Sequence, residues 1–275
     1  MSNAREIECD NLNLSLELYT GNGFRLDMIF PADSPREALV SKGNQIVRLI
    51  QKFPEVKKPE ILVERSADAF AQDDASSTWV KGRAGMEYRD LIPGRLDGKI
   101  IVSHIRLPFA GVVPDSVHYH KIDFQMIYCK RGRIQVVYED QGPPFWLETG
   151  DCILQPPEIR HRVLYSEAGA EVIEVSSPAE HVTWIDHELL LPTSALNPEK
   201  DFGGSKFVHH RSKTSVDLLD SYERDTGIGA ATGGRFDLRI RRTGGTDTAL
   251  LLELNGLGSA ADNGQKVPIS IEIPI

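Results

Sequence analysis

The sequence predicts an all-β protein whose short strands close into barrels. Three observations predict it. Runs rich in β-branched and aromatic residues occupy positions 100–107, 124–129, 134–138, 152–154, 162–165 and 172–175. Gly, Pro and Asp turn signals separate them, the pattern of a barrel or sandwich. Two stretches of the chain also resemble each other at a fixed offset.

Bulk properties narrow the class. A chain of 275 residues can form one large domain or two of ordinary size. Hydrophobic content of 40% and charged content of 26% are those of a soluble globular protein. A net charge of −9 argues against a nucleic-acid partner. The short basic run Lys130, Arg131 and Arg133 reads as a solvated hairpin tip. Cys9, Cys129 and Cys152 form no CxxC pair, so no disulfide framework is expected and a reducing cytoplasm is. No apolar run approaches the roughly 18 residues of a membrane span, and no signal peptide is read at the N-terminus.

Along the chain, Ser34 and Pro35 read as the N-cap and first residue of a helix. Residues 43–53 and 65–72 read as further helical turns. Positions 54–60 and 186–206 are Pro-rich or polar, and residues 33–79 and 183–205 as a whole read as helical or connecting segments. Glu87, Arg89, Asp90, Gly94, Gly98 and Ile105-Arg106 align without gaps on Tyr222, Arg224, Asp225, Gly229, Gly233 and Ile240-Arg241, an offset of 224 − 89 = 135. A second echo joins 22–33 to 169–180. Residues 80–182 are therefore expected to form one complete barrel. A second, degenerate barrel is expected over 206–275, completed by 8–32 in a permuted arrangement, which chain termini lying close together make feasible. Its copy of the central segment, 247–256, holds no histidine, so it is expected to be metal-free.

The chemistry concentrates at His118-Tyr119-His120. Histidines at i and i+2 share one face of a strand. Gln125 lies an odd number of residues further on, so a turn or bulge must intervene before it joins them. His161 follows turn signals at Gly150-Asp151 and Pro156-Pro157. Three imidazoles meeting inside a small barrel would hold a divalent transition metal and leave positions open for substrate.

The segment from Gly111 to Pro178 resembles the cupin superfamily. Gly111, His118, His120, Gln125 and Gly132 follow the order of its first motif, with the glycine-to-histidine gap one residue longer. Gly150, Pro156 and His161 follow its second, while Glu158 and Tyr165 stand where glycine and asparagine are expected. The resemblance implies double-stranded β-helix (jelly-roll) barrels, two per chain, with a metal in one. Gln125 replaces the family's glutamate ligand, so it is either a weak fourth ligand or a hydrogen-bonding neighbour. Three neutral imidazoles leave the full charge on the ion, which favours Lewis acidity and anionic, chelating substrates. Some cupin dioxygenases are similar in using three histidines on Fe(II).

Other residues are weighed beside these. Tyr165 shares strand parity with His161 and could point into the cavity, to bind substrate or take part in catalysis. His104 and Arg106 share a face and could hold a substrate carboxylate, although the repeated Arg241 favours a structural role. Glu174 could supply the missing carboxylate or act as general base; its counterpart Asp27 suggests a salt bridge instead. His209-His210 have no partners at metal spacing. Cys129 and Cys152 read as small apolar core residues. Phe124, Met126 and Tyr128 alternate with Gln125 and read as an outward interface stripe. The function expected is a non-haem Fe(II) dioxygenase of a small anionic or chelating organic substrate, working as a monomeric bicupin or a homodimer. The alternatives are a Zn, Ni or Mn cupin with isomerase, lyase or hydrolase chemistry, and a non-catalytic sensor.

Overall fold

The computed structural model describes residues 4–52, 68–70, 79–92, 94–212, 222–242, 248–255, 257 and 268–275. An N-terminal layer comes first: strand β1 (Arg5–Cys9), helix α1 (Leu12–Gly21), β2 (Arg25–Phe30), β3 (Glu37–Lys42) and β4 (Gln45–Gln51). β5 (Asp68–Phe70) follows. The central unit runs through β6 (Val80–Lys81), β7 (Glu87–Asp90), β8 (Ile101–Leu107), β9 (Gly111–Val112), β10 (His118–Lys121), β11 (Phe124–Arg131), β12 (Arg133–Tyr138) and β13 (Phe145–Glu148). It continues through β14 (Cys152–Leu154), β15 (His161–Ser166), β16 (Ala170–Ser177) and β17 (Val182–Ile185). β18 (Val208–His210), β19 (Tyr222–Asp225), β20 (Phe236–Arg242), β21 (Thr248–Leu254) and β22 (Ile269–Pro274) complete the chain. None of the described helices is long and apolar enough to cross a membrane.

The central strands alternate between two facing sheets. One is ordered β17-β10-β15-β12-β13 and the other β14-β11-β16-β8-β7. This alternation is the jelly-roll expected from the sequence. Ile105, Leu107, Val113, Ile134, Val136 and Leu147 fill the space between the sheets.

Phe124, Met126 and Tyr128 do face outward, as their alternation with Gln125 predicts. They meet Phe236, Leu238, Ile240, Leu250, Leu252 and Ile271 of the C-terminal sheet. Phe124 stacks on Phe236 with ring centroids 4.5 Å apart. Cys129 and Cys152 are buried, as expected.

The second barrel differs from expectation. Among the described residues the C-terminal unit is a single sheet, ordered β19-β20-β21-β22-β5. Residues 8–32 do not join it. β1 pairs with β4, and β2 pairs with β3 and with β17 of the central barrel. The reason lies in apolar patterning: Leu12 of α1 and Ile29, Ala38, Val40, Val47 and Leu49 of the strands bury one another as a separate small core. Both copies of the repeat fold as antiparallel hairpins, β7 with β8 and β19 with β20.

The helix expected at Pro35 is also corrected. Residues 37–42 and 45–51 are strands β3 and β4, because Ala38, Val40, Val47 and Leu49 bury alternate positions and two-residue periodicity outweighs the cap signal. The helix forms earlier, where the Asn11 side chain accepts from Leu14 N at 3.1 Å as an N-cap. Of residues 65–72, positions 68–70 form β5 and the others lie outside the described residues.

Candidate metal centre

β10 and β15 run antiparallel with His118 opposite His161. Two-residue periodicity puts His120 on the same side as His118. The three buried imidazoles have centroid separations of 5.1, 4.2 and 5.2 Å. Their ligand nitrogens all lie within 4.8 Å of one another.

Each ring is fixed through Nδ1. His118 Nδ1 lies 2.7 Å from the Ser116 carbonyl and His161 Nδ1 2.9 Å from the Ile159 carbonyl. His120 Nδ1 lies 2.9 Å from Thr183 Oγ1. A carbonyl only accepts, so Nδ1 of His118 and His161 donates and Nε2 keeps its lone pair. His118 Nε2 has no hydrogen-bond partner among the described residues. Burial holds the His118 and His120 rings well below the usual histidine range and pushes His161 down to about 4. The centre is therefore neutral at physiological pH. Neutral imidazoles oriented through the far nitrogen, with a buried lone pair left over, fit a divalent transition ion.

The rings border a cavity of about 50 Å³. Ile105, Val136, Leu147, Val163 and Val172 make its walls apolar, and Arg83, Gln155 and Glu174 supply polar groups. Glu174 faces inward because β16 sends Ile173 and Val175 to the opposite core. Burial raises its carboxyl to about 7, against the opposing pull of the Arg83 charge. Arg83 is itself held by the buried carboxylate of Asp115, which also accepts from Ser116 N at 2.9 Å and Val163 N at 3.0 Å.

Gln125 is fully buried. Its Oε1 accepts from Gln155 Nε2 at 2.8 Å, and that nitrogen lies 3.5 Å from His161 Nε2. The Tyr138 hydroxyl donates to Gln155 Oε1. Gln125 is thus linked to His161 through Gln155.

Three sequence candidates lie elsewhere. Tyr165 is 39% exposed and packs edge-on against Trp146. The pairing of β12 with β15 shifts between Gln135 and Val136, skipping Leu164, and this bulge inverts the parity that linked Tyr165 to His161. His104 and Arg106 share a face, but it is the outer one. His104 Nε2 lies 2.9 Å from Glu171, and Arg106 bridges Glu87 at 2.6 Å beneath the Trp79 ring. Arg241 likewise bridges Glu272, at 2.5 Å. Asp27, the counterpart of Glu174, pairs with Arg25 at 3.1 Å, whereas Glu174 lines the cavity.

Sequence reasoning missed Arg83, Asp115, Gln155, Tyr138 and His181. Tyr138 was legible, since it alternates with Val136 along β12. His181 lies two residues before Thr183, and its ring centroid is 5.3 Å from that of His120. Arg83 comes from a turn that carries no periodic signal.

No protein-family model matches the sequence, and no curated protein matches it. This chain is similar to solved cupin structures. An RmlC-like cupin from Shewanella frigidimarina NCIMB 400 is 21% identical, over 39% of this chain and 89% of its own, with a TM-score of 0.33. KdgF from Halomonas sp. is 18% identical, over 40% and 94%, with a TM-score of 0.33. A deletion mutant of Bacillus subtilis oxalate decarboxylase OxdC is 15% identical, over 65% and 56%, with a TM-score of 0.38. At these identities the likenesses say nothing of the reaction.

Proposed function

We propose that the protein is a metal-dependent enzyme acting on a small anionic substrate, with Glu174 moving a proton beside the centre. One observation carries this reading: three neutral imidazoles, each fixed through Nδ1, converge next to a carboxyl raised to about 7. His118, His120 and His161 would hold the ion. Bound there, a divalent transition metal supplies Lewis acidity, and a redox-active one supplies electrons to oxygen as well.

The chain's own residues do the rest. Arg83 places positive charge in the cavity for a substrate carboxylate, and Asp115 positions Arg83. The apolar walls exclude water. Glu174, poised near neutrality, accepts a proton from substrate and returns it at another atom, the division of labour of an isomerase or lyase. A cavity of about 50 Å³ restricts the substrate to a few heavy atoms.

A second reading, an Fe(II) dioxygenase, is favoured by the all-imidazole ligand set, which lacks a carboxylate. Elemental analysis of the purified protein tests both, and absence of a transition metal refutes both. Turnover of small hydroxy acids under anaerobic conditions supports the first reading. Oxygen uptake with diketones or hydroxy-aromatic acids, and no anaerobic turnover, supports the second.

A further inference from the structure

Beside the histidine cavity lies a second chamber of about 30 Å³. Ala32 and Asp33 of the N-terminal layer close it on one side. His181, Thr183, Ser103 and Glu174 of the barrel line the other. Arg83 and His120 border both chambers, so the two adjoin.

Two buried polar atoms in these walls have no hydrogen-bond partner among the described residues: Asp33 Oδ1 and His181 Nε2. His181 is 4% exposed. Its Nδ1 lies 3.2 Å from the Pro178 carbonyl, so Nδ1 donates and Nε2 is an acceptor. The other Asp33 oxygen accepts from Arg95 at 2.6 Å, leaving Oδ1 as a second acceptor. Leaving two acceptors unpaired in a buried site is costly, so the chamber is built to receive a hydrogen-bond donor. Its volume admits one small group or one or two waters. The charges bordering it, Asp33 and Glu174 against Arg83, nearly offset, which favours a neutral donor over a cation.

We propose that this chamber is a specificity subsite for a substrate hydroxyl, which donates to Asp33 Oδ1 while one water donates to His181 Nε2 and to the hydroxyl oxygen, and the carboxylate end of the same molecule occupies the histidine cavity. The substrate class is then a short hydroxy acid. The His120 and His181 rings, 5.3 Å apart, separate the two ends by a few bonds. The proposal rests on the metal reading above and adds a function for the N-terminal layer.

The test is calorimetric binding of propionate, 3-hydroxypropionate and β-alanine to the purified protein, with metal content measured on the same sample. We expect one metal per chain and 3-hydroxypropionate binding at least about tenfold tighter than propionate, the worth of one or two buried hydrogen bonds. Asp33→Ala should bring that ratio close to one and His181→Leu should reduce it, neither changing propionate affinity. His181→Gln, which keeps an acceptor, should retain part of it. With metal present, a wild-type ratio near one means the chamber holds only water, and overturns the subsite alone. A ratio unchanged in both variants, or tighter binding of β-alanine, overturns it too. Absence of metal overturns the reading on which the proposal rests.

Discussion

Replacing Glu174 by glutamine should stabilise the metal-free protein, and the gain should grow with pH. Glutamine keeps the volume and removes the charge. Below about pH 4.5 the Glu174 carboxyl is protonated in the folded and unfolded chains alike, so burying it costs nothing through ionisation. As pH rises the unfolded chain ionises first, and stability falls until the folded carboxyl ionises at about 7. The rise from 4.5 to about 7, at 1.36 kcal/mol per pH unit, amounts to about 3 kcal/mol. Urea unfolding of chelator-treated wild type and Glu174→Gln at pH 4.5, 6 and 8 measures it. The stability difference should move in favour of the variant by about 3 kcal/mol across that range. A difference independent of pH, or one that moves toward wild type as pH rises, would refute the account of Glu174 as a desolvated acid facing the cavity.

The remaining predictions concern the centre and its supports. Replacing His161 by alanine should reduce bound metal from one per chain to near zero, read by elemental analysis. Bound metal should stay on the wild type as pH falls from 6.5 and leave only as pH drops through about 4, because ligation needs neutral imidazoles and the folded pKa of His161 is lowered to about 4. Asp115→Ala should cost roughly 3 kcal/mol in urea unfolding, since it leaves the partly buried Arg83 unpaired. Phe124→Ala should cost a similar 3–5 kcal/mol, because it removes a fully buried ring stacked on Phe236. Tyr165→Phe should change neither metal content nor turnover, since that side chain packs outside the barrel.

The barrel and its histidines were legible because each rests on local regularity. His118 and His120 share a face by strand geometry alone. Phe124, Met126 and Tyr128 announced a covered outer face by the same rule. The rule failed at Tyr165, where a single skipped residue in β15 inverts inside and outside and no composition signal marks the bulge. It failed differently at Pro35, where a good cap motif precedes a strand whose alternate residues find a sheet partner. The N-terminal layer was read as completing a second barrel because its echo of 169–180 is real as sequence. Which free strand edge it would join depends on three-dimensional neighbours. Arg83, Asp115 and His181 were invisible for a related reason: loops and strand ends bring them together, without periodicity.

The pairing of β2 with β17 has one more consequence. β17 is the immediate neighbour of β10, the strand carrying His118 and His120. Without the N-terminal layer, β17 would present a row of unpaired backbone donors and acceptors to any passing strand. The layer therefore guards the chain against intermolecular strand addition one strand away from His118 and His120. A truncated barrel, however well its own core is packed, would be prone to associate through the edge nearest its histidine cluster.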